Sequence, residues 1–284
     1  MTTGKPADPV PAVTEADAPA SVAAIFADIR TTLHVDVVNL VWRHLATMPG
    51  ALEWVWQTMK PLYLGPALEH ADALRSDLTL PRVPPFSVDA LASAGVDRNS
   101  LISIRAVLDS YHHTNALALV CFSAFLARFE ARRSFADVAS TAETDRPETI
   151  AAFPTSPRLP RLPSSAEMTA SVGRLVFELN SFGEDSDPAL IASMYRHLSY
   201  WPSYLAMIRT MLVPLHESGQ LIALVAAARR QGERQGHELA ASLPNLSPAV
   251  DTKLALDAIR RFVDHPIARM TGICALIREA TPRI

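Results

Sequence analysis

Glycine is scarce in this chain, ten residues in 284. No stretch alternates apolar and polar residues for long enough to make a half-buried strand, so a sheet-based architecture is excluded. Cysteine is nearly absent. Cys121 and Cys274 form no CxxC pair, which excludes dithiol redox chemistry, and nothing here demands an oxidising compartment. Both lie in apolar helical runs, where a free thiol usually serves as a small core side chain. Charge is sparse as well: 19% of residues are charged, the net charge is −3 and the pI about 6.3. That leaves no basic surplus for nucleic acid or for an anionic membrane surface. Long hydrophobic runs are missing, and the longest, Ala116 to Leu126, is too short to span a bilayer. The opening stretch from Met1 to Ser21 carries acidic residues and no apolar core, so neither a signal peptide nor a membrane anchor is expected, and the expected location is cytoplasmic. A P-loop, a dinucleotide fingerprint, HExxH and GxSxG are all lacking.

What is present is apolar mass at helical spacing. Apolar residues make up 49% of the chain, ample for a packed core. Val22, Ile25, Phe26, Ile29 and Leu33 recur at the helical interval, and so do Leu101, Ile104, Leu108 and Tyr111. Asp187-Pro188 and Ser247-Pro248 each place a capping residue before a proline at a helix start. Asp97 stands where it can cap the helix carrying Leu101 to Tyr111.

The chain also repeats itself. Arg43, His44, Leu45, Pro49 and Leu52 return at one constant spacing as Arg196, His197, Leu198, Pro202 and Leu205. Pro61-Leu62 and Pro214-Leu215 keep that spacing, and Ile104, Arg105 and Asp109 return slightly later as Ile259, Arg260 and Asp264. The expected fold class is therefore all-α, a pseudo-dimer of two homologous helical repeats joined by a Pro-rich linker. The boundaries read as a disordered tail over 1–20, a repeat over 21–145, a linker over 146–166 and a second repeat over 167–284. Pro147, Pro154, Pro157, Pro160 and Pro163 stiffen the linker, and Pro81, Pro84 and Pro85 interrupt the first repeat. A seam between diverged copies is a natural place for a pocket. Such a chain can remain a monomer or form a homodimer.

Few residues stand out as chemistry. Tyr111-His112-His113-Thr114-Asn115 is a dense polar cluster at the mouth of an apolar helical run. Buried polar groups must be hydrogen-bonded or wet, and either condition suits a pocket. His112 or His113 has the chemistry of a general base near neutral pH; the alternative is exposure at a helix kink. Adjacent histidines do not share a helix face, and no spaced ligand set completes a metal site. The duplicated Arg-His pairs read first as fixing local helix–loop junctions, and second as an anion clamp across the seam. Glu184, Asp185 and Asp187 read as acidic residues ahead of a helix N-terminus.

Beyond these readings, several segments resemble the group I 2-haloacid dehalogenases (the DehI type). They are Asp28-Ile29-Arg30-Thr31-Thr32-Leu33, Leu45 to Gly50, Ala94-Gly95-Val96-Asp97, Ile104 to Leu108, and Trp201-Pro202. The resemblance covers nearly everything after the tail. It implies an all-helical pseudo-dimer with its site between the repeats, hydrolysing 2-halocarboxylic acids with no cofactor and no metal. An aspartate would activate the water that displaces halide directly. The family's water-positioning asparagine falls on Asn115, and the serine before its catalytic aspartate falls on Ser193. That aspartate itself falls on Met194, and a pocket tryptophan falls on Val37.

A methionine takes no proton from water. The expectation is therefore a divergent member, a cofactor-independent enzyme acting on a small or medium organic acid or halogenated metabolite. Asn115 with His112 or His113 would be catalytic, and Ser193, Met194, Val37 and Tyr111 would shape the substrate pocket. One alternative is a non-catalytic ligand-binding or scaffold descendant of the same fold. The other is a true haloacid dehalogenase in which Asp187 supplies the base.

Overall fold

The computed structural model describes residues 10–134, 159–184, 191–244 and 252–283. The protein is all-α, and no strand occurs among the described residues. α1 (Ala20–Leu33) buries Phe26, Ile29 and Leu33, the stripe its spacing predicts. Short α2 (Leu40–Leu45) follows, then α3 (Ala51–Tyr63), α4 (Ala67–Asp77) and α5 (Val88–Ser93). The axis of the molecule is α6 (Arg98–Ser134), 37 residues without a break. Its start is capped as the sequence suggests, Asp97 Oδ1 accepting the Ser100 N–H at 2.8 Å. Those hydrogen bonds hold the Asp97 carboxyl below the usual carboxylate range.

A second set of helices packs on α6 and on its own members. It comprises α7 (Ala170–Ser181), α8 (Ser193–Leu198), α9 (Pro202–Glu217), α10 (Gln220–Leu239), α11 (Thr252–Phe262) and α12 (Ala268–Ala280). Between α11 and α12 the helix widens to a π turn over Val263–Ile267. Pro266 lies inside this turn and brings no N–H to the helical ladder.

Close packing ties α10 to α6. An alanine methyl at Gly236 would lie 2.5 Å from Ser123 Cβ and 2.7 Å from the Ala124 nitrogen, so only glycine lets the backbones approach there. Aromatic rings fill the space between α2, α3 and α6. Trp42 stands 4.8 Å from Phe122 and 5.4 Å from Trp56, centroid to centroid. Arg105 on α6 reaches the carbonyls of Arg278 and Thr281, at 2.7 and 3.0 Å, and Asp109 takes the Arg278 side chain. Asp109 is thus a structural clamp between α6 and α12. Cys121 and Cys274 are fully buried, and burial pushes both thiols up. Among the described residues no single helix is long and apolar enough to cross a bilayer.

Two sequence expectations need correction. Residues 10–19, read as part of a disordered tail, lie against α1 and α2. Val10 is buried, Pro11 O meets His44 Nδ1 at 2.7 Å, and Val13 N–H donates to Arg43 O at 3.0 Å. Glu15 takes the Val38 N–H at 2.9 Å and also the Arg30 guanidinium. Composition marked the segment as unable to build a core; its backbone instead supplies partners to a neighbouring helix. Glu184, read with its acidic neighbours as helix capping, is a buried side chain beside Arg269 at 3.4 Å and His265 at 3.8 Å. Asp187-Pro188, Ser247-Pro248 and linker residues 146–158 lie outside the described residues.

Candidate ligand cavity

A cavity of about 60 Å³ opens where four segments meet. The approach to α2 gives Val37, Val38 and Asn39. α6 gives Ser110, Tyr111, Thr114 and Asn115. The start of α8 gives Ser193 and Met194, and the π turn with α12 gives Pro266, Ile267 and Met270. Leu159, at the described end of the linker, closes one side.

Five sequence candidates therefore converge: Asn115, Ser193, Met194, Val37 and Tyr111 all line this space. Asn115 is buried, and among the described residues its amide Nδ2 has no hydrogen-bond partner. Ser193 Oγ is buried beside the Tyr111 phenol. Met194 is fully buried, at the position where the resemblance expects a carboxylate. Among the described residues the wall carries no carboxylate, histidine, lysine or arginine. Asp187 lies outside the described residues.

His112 and His113 do not line the cavity. Ser110, Tyr111, Thr114 and Asn115 share one face of α6, and the two residues between them turn away. His112 lies among Arg278, Arg75 and Asp109, and His113 among Arg75, Asp72 and His34. Burial, reinforced by the arginine charges, pushes both imidazoles down to about 4. Neither shares the cavity with Asn115.

Both Arg-His pairs act at their own helix–loop junctions. Arg43 Nε donates to Val38 O at 3.2 Å. Arg196 donates to Pro163 O through Nε at 3.0 Å and Nη2 at 2.7 Å. Yet both guanidiniums also act electrostatically on the Tyr111 phenol, favouring negative charge there. Burial outweighs them and pushes the phenol well above its ordinary value.

Sequence reading missed that His197 stands behind the wall, bonded to its Tyr111. His197 is fully buried, with Nε2 at 3.0 Å from Pro160 O and Nδ1 at 2.8 Å from Tyr111 Oη. The repeated Arg-His pair drew attention to this residue, but nothing in the sequence paired it with Tyr111. Ser193 Oγ also lies close enough to influence the phenol, though outside good hydrogen-bond geometry. Among the described residues no cluster of three or more His, Cys, Asp or Glu side chains is arranged to hold a metal ion.

No protein-family model and no curated protein matches this chain. Solved structures do. A D-2-haloacid dehalogenase in complex with L-LA superposes with a TM-score of 0.68 at 17% identity, over 96% of this chain and 95% of that one. A D-2-haloacid dehalogenase mutant with D-2-CPA gives 0.67 at 17% identity, over 96% and 94%. A further D-2-haloacid dehalogenase mutant gives 0.67 at 17%, over 95% and 94%. The chain has a dehalogenase-like fold.

Proposed function

We propose that this protein is a divergent descendant of the group I 2-haloacid dehalogenases that binds a small organic acid in the cavity without running the aspartate-driven hydrolysis. One observation carries the reading. The Asn115 amide, without a hydrogen-bond partner among the described residues, faces a small cavity whose described wall offers no carboxylate to activate water. Buried polar groups left without partners lose free energy unless a ligand or water satisfies them. Met194, fully buried in that wall, offers a thioether that is only a weak acceptor. Loss of a general base alone costs about 10²–10⁴-fold in rate. The cavity lies between the elements around α2 and α6 and those around α8 and α12, which supports the reading of two repeats with a ligand at their seam. The ligand is bound without a cofactor.

The test is calorimetric titration with both enantiomers of 2-chloropropionate and of lactate, alongside an assay for halide release. Wild type is expected to bind at least one acid, to release no halide, and to lose about tenfold in affinity in Asn115→Ala. Failure of all four compounds to bind would sink the reading. Halide release by the wild type that disappears in Asp187→Asn would replace it with a working hydrolase.

A further inference from the structure

The hydrogen bonds behind the cavity wall fix which way one of its polar groups faces. Pro160 O can only accept, so His197 Nε2 must carry the imidazole proton. Nδ1 is then bare, and at 2.8 Å it takes the Tyr111 O–H. Buried among these partners, His197 is neutral, which preserves the tautomer. With its proton committed to His197, the Tyr111 oxygen has only lone pairs left to offer. That oxygen stands beside Ser193 Oγ, and both residues line the cavity. Asn115 Nδ2, on the same helix face and without a partner among the described residues, offers only protons.

The cavity therefore presents a donor at Asn115 and an acceptor at Tyr111. A ligand satisfies both by offering an acceptor, such as a carboxylate oxygen, and a donor close to it. Carbon-bound halogen supplies no donor; a hydroxyl does. An ammonium would also donate, but Arg43 and Arg196 place positive potential at the phenol and disfavour a cation. We infer that His197, acting through Tyr111, sets the cavity to prefer a small 2-hydroxy acid over the matching 2-halo acid. This rests on the small-acid binding proposed above. His197 is a positioning residue here, and Tyr111 sets specificity.

The experiment is the ratio of affinities for lactate and 2-chloropropionate, each enantiomer, in wild type and Tyr111→Phe. Wild type is expected to favour lactate about tenfold, the worth of one buried hydrogen bond. In Tyr111→Phe the ratio should fall close to one while 2-chloropropionate still binds. Equal wild-type affinities, or an unchanged preference in Tyr111→Phe, overturn the hydroxy preference and leave acid binding standing. Binding of neither acid overturns both readings. Nitrogen-15 NMR of the wild-type protein, with the His197 signals assigned through His197→Gln, tests the premise without relying on the Tyr111 variant. A proton on Nε2 supports it, and a proton on Nδ1 overturns it.

Discussion

The same dipeptide serves two places in this molecule and does unequal work. At α2, His44 bonds the Pro11 carbonyl through Nδ1, half-buried, with its ring 5.5 Å from that of Phe262. At α8, His197 bonds the Pro160 carbonyl through Nε2 and is fully buried. Each pair thus latches a proline-rich extended segment onto a short helix. The nitrogen used differs, and that difference leaves His197 Nδ1 facing Tyr111. One latch ends at the surface and the other reaches the cavity. The comparison teaches that a repeated motif can keep one structural duty while a single copy takes on a second.

The largest expected effect separates the two latches by stability. His197→Ala removes a buried ring, strands the Tyr111 O–H and frees the Pro160 carbonyl, and should destabilise by about 3 kcal/mol. His44→Ala removes one partly exposed bond and should cost about 1 kcal/mol. Urea denaturation of both variants measures this. Equal losses would break the comparison, because they would mean that His197 does nothing beyond holding its strap.

Acid sharpens it further. Burial lowers His197 to about 4 from an ordinary 6.5. Between those values the unfolded chain binds the proton and the native protein does not, so stability is full above about pH 6.5 and drains as pH falls toward 4. His112 and His113, also lowered to about 4, drain it in the same window. His197→Gln should therefore make the slope shallower by up to about one proton, or about 1.4 kcal/mol per pH unit. Denaturation curves from about pH 7 to about pH 4.5 read this slope. An unchanged slope would show that the imidazole is not held neutral by its surroundings.

Much of this arrangement was legible in the sequence, and the reasons differ residue by residue. The all-α class follows from apolar spacing, which burial of Phe26, Ile29 and Leu33 reproduces. Asn115, Ser193, Met194, Val37 and Tyr111 were found through the resemblance and the polar cluster, and the fold gathers all five. His112 and His113 stand off the cavity because nearness along a chain is not nearness in a helix. Each residue advances about a quarter turn, so Tyr111, Thr114 and Asn115 share a face that excludes His112 and His113. The π turn at Pro266 was invisible, since a proline inside a helical pattern predicts a break or kink rather than a widened turn. His197 was marked, but its partner on α6 is 86 residues away, and no local pattern encodes such a pairing.

The smallest effect asks whether the shared part of the two latches is equal. Thr47 Oγ1 donates to His44 O at 2.7 Å, and Ser199 Oγ donates to Arg196 O at 2.6 Å. Both hydroxyls serve carbonyls at the end of a six-residue helix, where the last carbonyls lack intrahelical partners. Neither touches the cavity. Thr47→Val and Ser199→Ala should therefore each cost less than about 1 kcal/mol, and by similar amounts, with lactate affinity unchanged in both. If Ser199→Ala alone weakened lactate binding, the α8 helix end would be coupled to Tyr111 through His197. The second latch would then act as one unit with the cavity, not as a strap with one added bond.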